Sequence, residues 1–158
     1  MRVRLEELLD APGRLEQQLL AARLDTQAIW EGCFRLVSRY DGMRSGRGFA
    51  DARDGQSAAL ADARAEEERL RECLDGACKE LEILIDRVGR AWGPKEAMVL
   101  RWRYLLRQPW SRVQEEAERA FGRNVTLRTI HNWHRGAIRH ARELVEGDAE
   151  AASEKARA

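Results

Sequence analysis

Leu15, Leu19, Ala22, Thr26, Ile29, Cys33, Leu36 and Tyr40 follow one another at alternating intervals of four and three residues. That rhythm keeps one face of a helix apolar over seven turns and is the seam of a coiled coil. It returns at Leu70, Leu74, Ala77, Leu81, Leu84, Val88 and Ala91. Between the two runs lies "DGMRSGRGFADARDGQS" (41–57), whose glycines and polar residues predict a loop. Two long helices joined by a loop of this length predict an antiparallel, coiled-coil-like hairpin over residues 1–91, each seam buried on the other. Leu5, Leu8 and Leu9 predict a short extra helix over residues 2–10, stopped by Pro12-Gly13.

The pattern changes at "WGPKEAMVLRWRYLLRQPW" (92–110). Gly93 suits the end of a helix and Pro94 the first turn of the next, with Glu96 beside its positive N-terminal dipole. Met98, Leu100 or Trp102, and Leu105 mark the buried side, and Pro109 ends the helix. A further helix begins near Trp110, turns Val113, Ala117 and Phe121 inward and stops at Gly122. Thr126 then offers an N-cap to the last helix, "TLRTIHNWHRGAIRHARE" (126–143). At about 100° per residue, Ile130, Trp133, His134, Ala137 and Ala141 fall on one stripe. Arg128, Asn132, Arg135, Arg139 and Arg142 fall on the opposite one. The fold class expected is therefore all-α: a helical hairpin (1–91), a helix-turn-helix module (92–146) and a flexible acidic tail (147–158).

Charge sharpens the picture. The whole chain has a formal net charge of +1. Split along its length, residues 1–86 carry −5, residues 87–144 carry +8 and residues 145–158 carry −2. A basic module joined to an acidic one is the electrostatic footprint expected of a nucleic-acid binder. On the last helix only Glu143 stands four residues from an arginine, Arg139, and like charges at that spacing destabilise a helix by a few tenths of a kcal/mol. Guanidinium forks grip phosphates bidentately and read guanine O6 and N7, and the amide of Asn132 matches adenine N6 and N7.

Other chemistries find little footing. Three cysteines without a C-x-x-C spacing point to reduced core thiols. His131-x-x-His134 lacks a third metal ligand, and His134 turns inward. The tryptophans at 92, 102, 110 and 133 read as core anchors. There is no G-x-S-x-G, no Walker lysine and no carboxylate pair beside a histidine, so neither catalysis nor a cofactor is expected. No apolar run reaches the ~18 residues of a membrane span, and Glu6, Glu7 and Asp10 exclude a secretory signal, which predicts a cytoplasmic protein without membrane contact.

"MVLRWRYLLRQPWSRV" followed by "LRTIHNWHRGAIRHA" resembles region 4 of sigma-70-type factors. It resembles more closely the small sigma-like proteins of phages and prophages of Gram-positive bacteria, among them late-gene transcription regulators. The matching positions are the apolar-Arg-Tyr stretch Val99 to Tyr104, the Trp-initiated helix Trp110 to Val113, and Ile130, His134, Ala137 and Ile138 of the recognition helix. The stretch from Trp110 to Ile130 is longer than the family's by more than a helical turn, and nothing corresponds to region 2. The resemblance implies a transcription regulator that binds double-stranded DNA, its recognition helix (about 127–143) in the major groove. Arg128, Thr129, Asn132 and His131 would lie near base edges, with Arg112, Arg123, Arg135, Arg139 and Arg142 on phosphates. RNA polymerase, another host protein or a second copy of the chain would meet the hairpin. A small-terminase-like packaging factor and a phage-borne inhibitor of a host nucleic-acid enzyme are the competing expectations.

Overall fold

The computed structural model describes residues 5–40, 47–122 and 124–155 and, within them, all side chains but those of 36–40, 47–53 and 152–153. All regular structure among them is helical: α1 (Leu5–Tyr40), α2 (Arg47–Trp92), α3 (Pro94–Leu100), a π-helical stretch (Arg101–Leu105), α4 (Trp110–Phe121) and α5 (Leu127–Lys155). Two compact units emerge, Arg14–Leu74 and a second made of Met1–Gly13 with Asp75–Ala158.

In the Arg14–Leu74 unit the expected seam is visible as a gradient of exposure. Leu19 is buried, Leu15, Ala22, Thr26, Ile29 and Cys33 are half-buried, and almost every residue between them is exposed. On α2, Leu70 is buried and Leu74 half-buried, and the same rhythm reaches back through Glu67, Ala63, Leu60 and Gln56. This corrects the expected loop over 41–57. Helix begins at Arg47, and only residues 41–46 of that stretch lie outside the described residues. A glycine inside a helix costs about 1 kcal/mol, but the Ala-rich run 58–65 propagates helix well, and a partly covered face adds what propensity lacks.

The second correction is at Pro12. No break separates residues 2–10 from the long helix, because α1 runs through Pro12 and Gly13. An interior proline forfeits one backbone hydrogen bond and costs about 3 kcal/mol. Leu5 and Leu9, 4% and 6% exposed, offset this by joining Leu81, Leu84, Ile85, Val88, Leu100, Ala137 and Ala141 in one apolar cluster, each buried leucine contributing about 1.5–3 kcal/mol. Gly13 leaves room for Arg107 there: a Cβ would sit 3.1 Å from the Arg107 guanidinium carbon, which would have to shift slightly, and Arg107 Nη1 donates to the Gly13 carbonyl at 3.3 Å.

α3 lies between that cluster and a second one formed by Val99, Trp102, Val113, Ala117, Val125 and Ile130. Being covered on two sides, it buries Val99 as well as Leu100, more than its expected one-sided stripe. Past Leu100 the helix widens, the Leu106 N–H donating five residues back to Arg101 at 2.9 Å. The wider turn places Trp102 in the second cluster while Tyr104 and Leu105 meet the first. α4 has the expected bounds and turns Val113 and Ala117 inward.

α5 is capped as expected: the Thr129 N–H donates to Thr126 Oγ1 at 3.2 Å. Ile130, Ala137 and Ala141 are fully buried. The helix does not give way to a flexible tail at 147. It continues to Lys155, with Leu144 and Val145 on the first cluster and Asp148 accepting two hydrogen bonds from Arg87. That bidentate contact holds the Asp148 carboxyl below the ordinary carboxylate range.

Candidate nucleic-acid interface

Aromatic contacts lock the inner side of α5 in place. The Tyr104 hydroxyl and His134 Nε2 form a hydrogen bond of 2.9 Å, and their rings stack at 5.8 Å. Trp110 meets His131 at 4.7 Å and His134 edge-on at 5.0 Å, with the Arg103 guanidinium 5.0 Å from the centroid of the Trp110 ring. Further along, Trp92 stacks on His140 at 4.3 Å and nearly parallel, while His140 Nδ1 lies 2.7 Å from Glu96 Oε2. Glu96 Oε1 in turn occupies space beside Gly136 that a Cβ would fill, 2.7 Å away. These contacts fix the rotation of α5 about its own axis.

That rotation leaves Arg128, Asn132, Arg135 and Arg139 exposed, with no hydrogen-bond or ion-pair partner among the described residues. From Arg128 to Arg139 the ribbon spans about 16 Å of helix. The other expected contact residues are placed differently. Arg142 Nη2 donates to Glu6 Oε1 at 2.9 Å, and Arg112 Nη1 meets Glu115 Oε2 at 2.6 Å. Arg123 lies outside the described residues. Thr129 is half-buried and bound into the Thr126 cap, and His131 is half-buried against Trp110. The open set is thus narrower than the nine residues read from the sequence.

Elsewhere in the same unit several arginines find acids, although exposed Arg90 has none among the described residues. Arg87 has Asp148, Arg101 has Glu82 and Asp86, and Arg119 has Glu116. Exposed pairs of this kind contribute 0–1 kcal/mol each, so their value here is diagnostic rather than energetic. Arg128, Arg135 and Arg139 pair with none among the described residues, although Glu143 stands one turn from Arg139. The pairing of Arg142 with an acid 136 residues earlier and of His140 with one 44 residues earlier had no local signal. A helical wheel does place His140 at the edge of the packing stripe, and that edge position was its one legible hint.

Of the tryptophans read as core anchors, Trp102 is buried and Trp110 and Trp133 pack partly buried in the second cluster, with Lys95 5.3 Å above the Trp133 ring. Trp92 is 40% exposed and serves His140 instead. The cysteines are free, but Cys73 is exposed and Cys33 and Cys78 half-buried, so they are not core thiols. Among the described residues no three His, Cys, Asp or Glu side chains converge as metal ligands, and no helix is long and apolar enough to cross a membrane.

His134 carries a pH prediction. Burial first, then the neighbouring His131 and Arg103, hold its imidazole below the usual value. Unfolded, it takes up a proton near pH 6.5; folded, only at lower pH. Between the two, the unfolded chain binds more protons, so the stability from this group is complete above about pH 6.5 and is lost as pH falls through the folded value. The melting temperature should drop between pH 7.5 and 5, and His134→Gln should flatten that drop. Equal slopes for the two chains over this range would refute the assignment.

No known protein family, curated protein or solved structure matches the chain.

Proposed function

We propose that the chain is a sigma-like, DNA-binding transcription regulator of phage or prophage origin. α4 and α5 act as its helix-turn-helix, with the N-terminal half of α5 in the major groove of double-stranded DNA. α1 and α2 form an antiparallel hairpin that meets RNA polymerase, another host protein or a second copy of the chain. In this reading the protein binds DNA and catalyses nothing.

One observation carries the reading: Arg128, Arg135 and Arg139 share an exposed face and pair with no carboxylate among the described residues, while Arg87, Arg101, Arg112, Arg119 and Arg142 are each paired with an acid. A merely solvated face gains nothing from leaving its guanidiniums unpaired, and unscreened like charges repel. A polyanion removes that penalty and releases its counterions on contact. A duplex suits the ribbon better than a single strand, because the aromatic rings nearby are committed to packing against α5 and leave no stacking platform among the arginines. The bounds of α4 and α5 support the helix-turn-helix: α4 spans Trp110–Phe121, and only residues 122–126 separate it from α5.

Selection of bound duplexes from a random pool tests the roles. Arg128→Ala should relax base preference at one position, a loss of about 1–3 kcal/mol of discrimination. Arg139→Ala should weaken all sequences alike. Identical preference in both variants and in the parent chain would rule out base reading by α5.

A further inference from the structure

Arg142 continues the cationic ribbon of α5 one turn past Arg139, about 4.5 Å along the axis, yet it is the member that holds an acid. Glu6 reaches it from the first turn of α1. That turn is anchored: Leu5 and Leu9 on either side of Glu6 are buried in the same cluster as Ala137 and Ala141, the residue next to Arg142. The backbone of Glu6 is therefore held beside α5 by packing. A carboxylate presents a guanidinium with the same acceptor geometry as a phosphate.

We propose that Glu6 fills, within the molecule, the place on Arg142 that a phosphate would take, so that the anion-binding ribbon ends at Arg139. This rests on the DNA reading. A phosphate reaching Arg142 must displace the carboxylate and then lie beside it, so the contact releases no net counterion there. Both side chains are well exposed, 51% for Arg142 and 64% for Glu6, so Glu6 trims the footprint without blocking the rest of it.

The test is a double-mutant cycle on the full chain, Glu6→Gln and Arg142→Gln singly and together, with a labelled DNA duplex followed by fluorescence anisotropy from 50 to 200 mM salt. Arg142→Gln alone should leave affinity within about twofold. Glu6→Gln should tighten binding severalfold at 50 mM and steepen the dependence of log K on log salt by about 0.9. Its advantage should then shrink about threefold by 200 mM. In the Arg142→Gln background that gain should vanish. A gain that persists there would be a general charge effect and would overturn the inference. So would an Arg142→Gln loss as large in the parent chain as beside Glu6→Gln. A parent chain that leaves the duplex unbound overturns the DNA reading, and this inference with it, whereas binding without coupling overturns this inference alone.

Discussion

Replacing Arg128, Arg135 and Arg139 together by glutamine should abolish most duplex binding while leaving the fold intact. Each phosphate contact contributes about 0.9 to the slope of log K against log salt. At 0.1 M salt this is about eightfold in affinity per phosphate contact and about sixtyfold for Arg135 and Arg139 together, with the slope shallower by about 1.8; loss of the Arg128 base contact, about 1–3 kcal/mol, adds to the fall. Glutamine keeps helix propensity close to that of arginine. None of the three guanidiniums bonds to another described residue, so their removal breaks no contact. It relieves the Arg135–Arg139 repulsion at i,i+4, worth a few tenths of a kcal/mol. Binding and stability should therefore move in opposite directions: affinity falls while the melting temperature holds or rises slightly. A salt slope unchanged by the triple substitution, measured by anisotropy beside a circular-dichroism melt, would end the case for this face.

The largest effect on stability is expected at Trp102. It is 6% exposed and packs with Val99, Val113, Ala117, Val125 and Ile130, where α3, α4 and α5 meet. Trp102→Ala removes the largest side chain of that cluster and leaves a cavity, a loss of about 3–5 kcal/mol. Against a total of about 5–15 kcal/mol for an ordinary domain, this is a large share. Trp92→Ala is the contrast. Trp92 is far more exposed and contributes mainly its stack on His140, worth about 0.5–1.5 kcal/mol. Urea denaturation of the two variants should separate them by at least 1.5 kcal/mol. Equal midpoints would show that the second cluster is not a cooperative core.

Local interactions made much of this protein readable before its fold was known. The four-three spacing of apolar residues placed the covered faces of α1 and α2, because that period is set by helix geometry alone. Gly93, Pro94, Pro109, Gly122 and Thr126 marked the ends of α3, α4 and α5, since each acts on backbone dihedrals or a cap within one turn. The stripe Ile130, Ala137, Ala141 and the opposing arginines followed from the same arithmetic.

What depended on distant partners was not legible. Pro12-Gly13 reads locally as a stop, yet burial of Leu5 and Leu9 on α2 and α5 carries the helix through it. Residues 147–155 read as a polar tail, yet Leu144 and Val145 packed against the first cluster and Asp148 on Arg87 keep them helical. The cationic face of α5 divides the same way. Sequence alone put four arginines on one face. Tertiary structure decided which of them stay open, because whether a charge is free depends on acids brought near by folding, and Glu6 reaches Arg142 from 136 residues away.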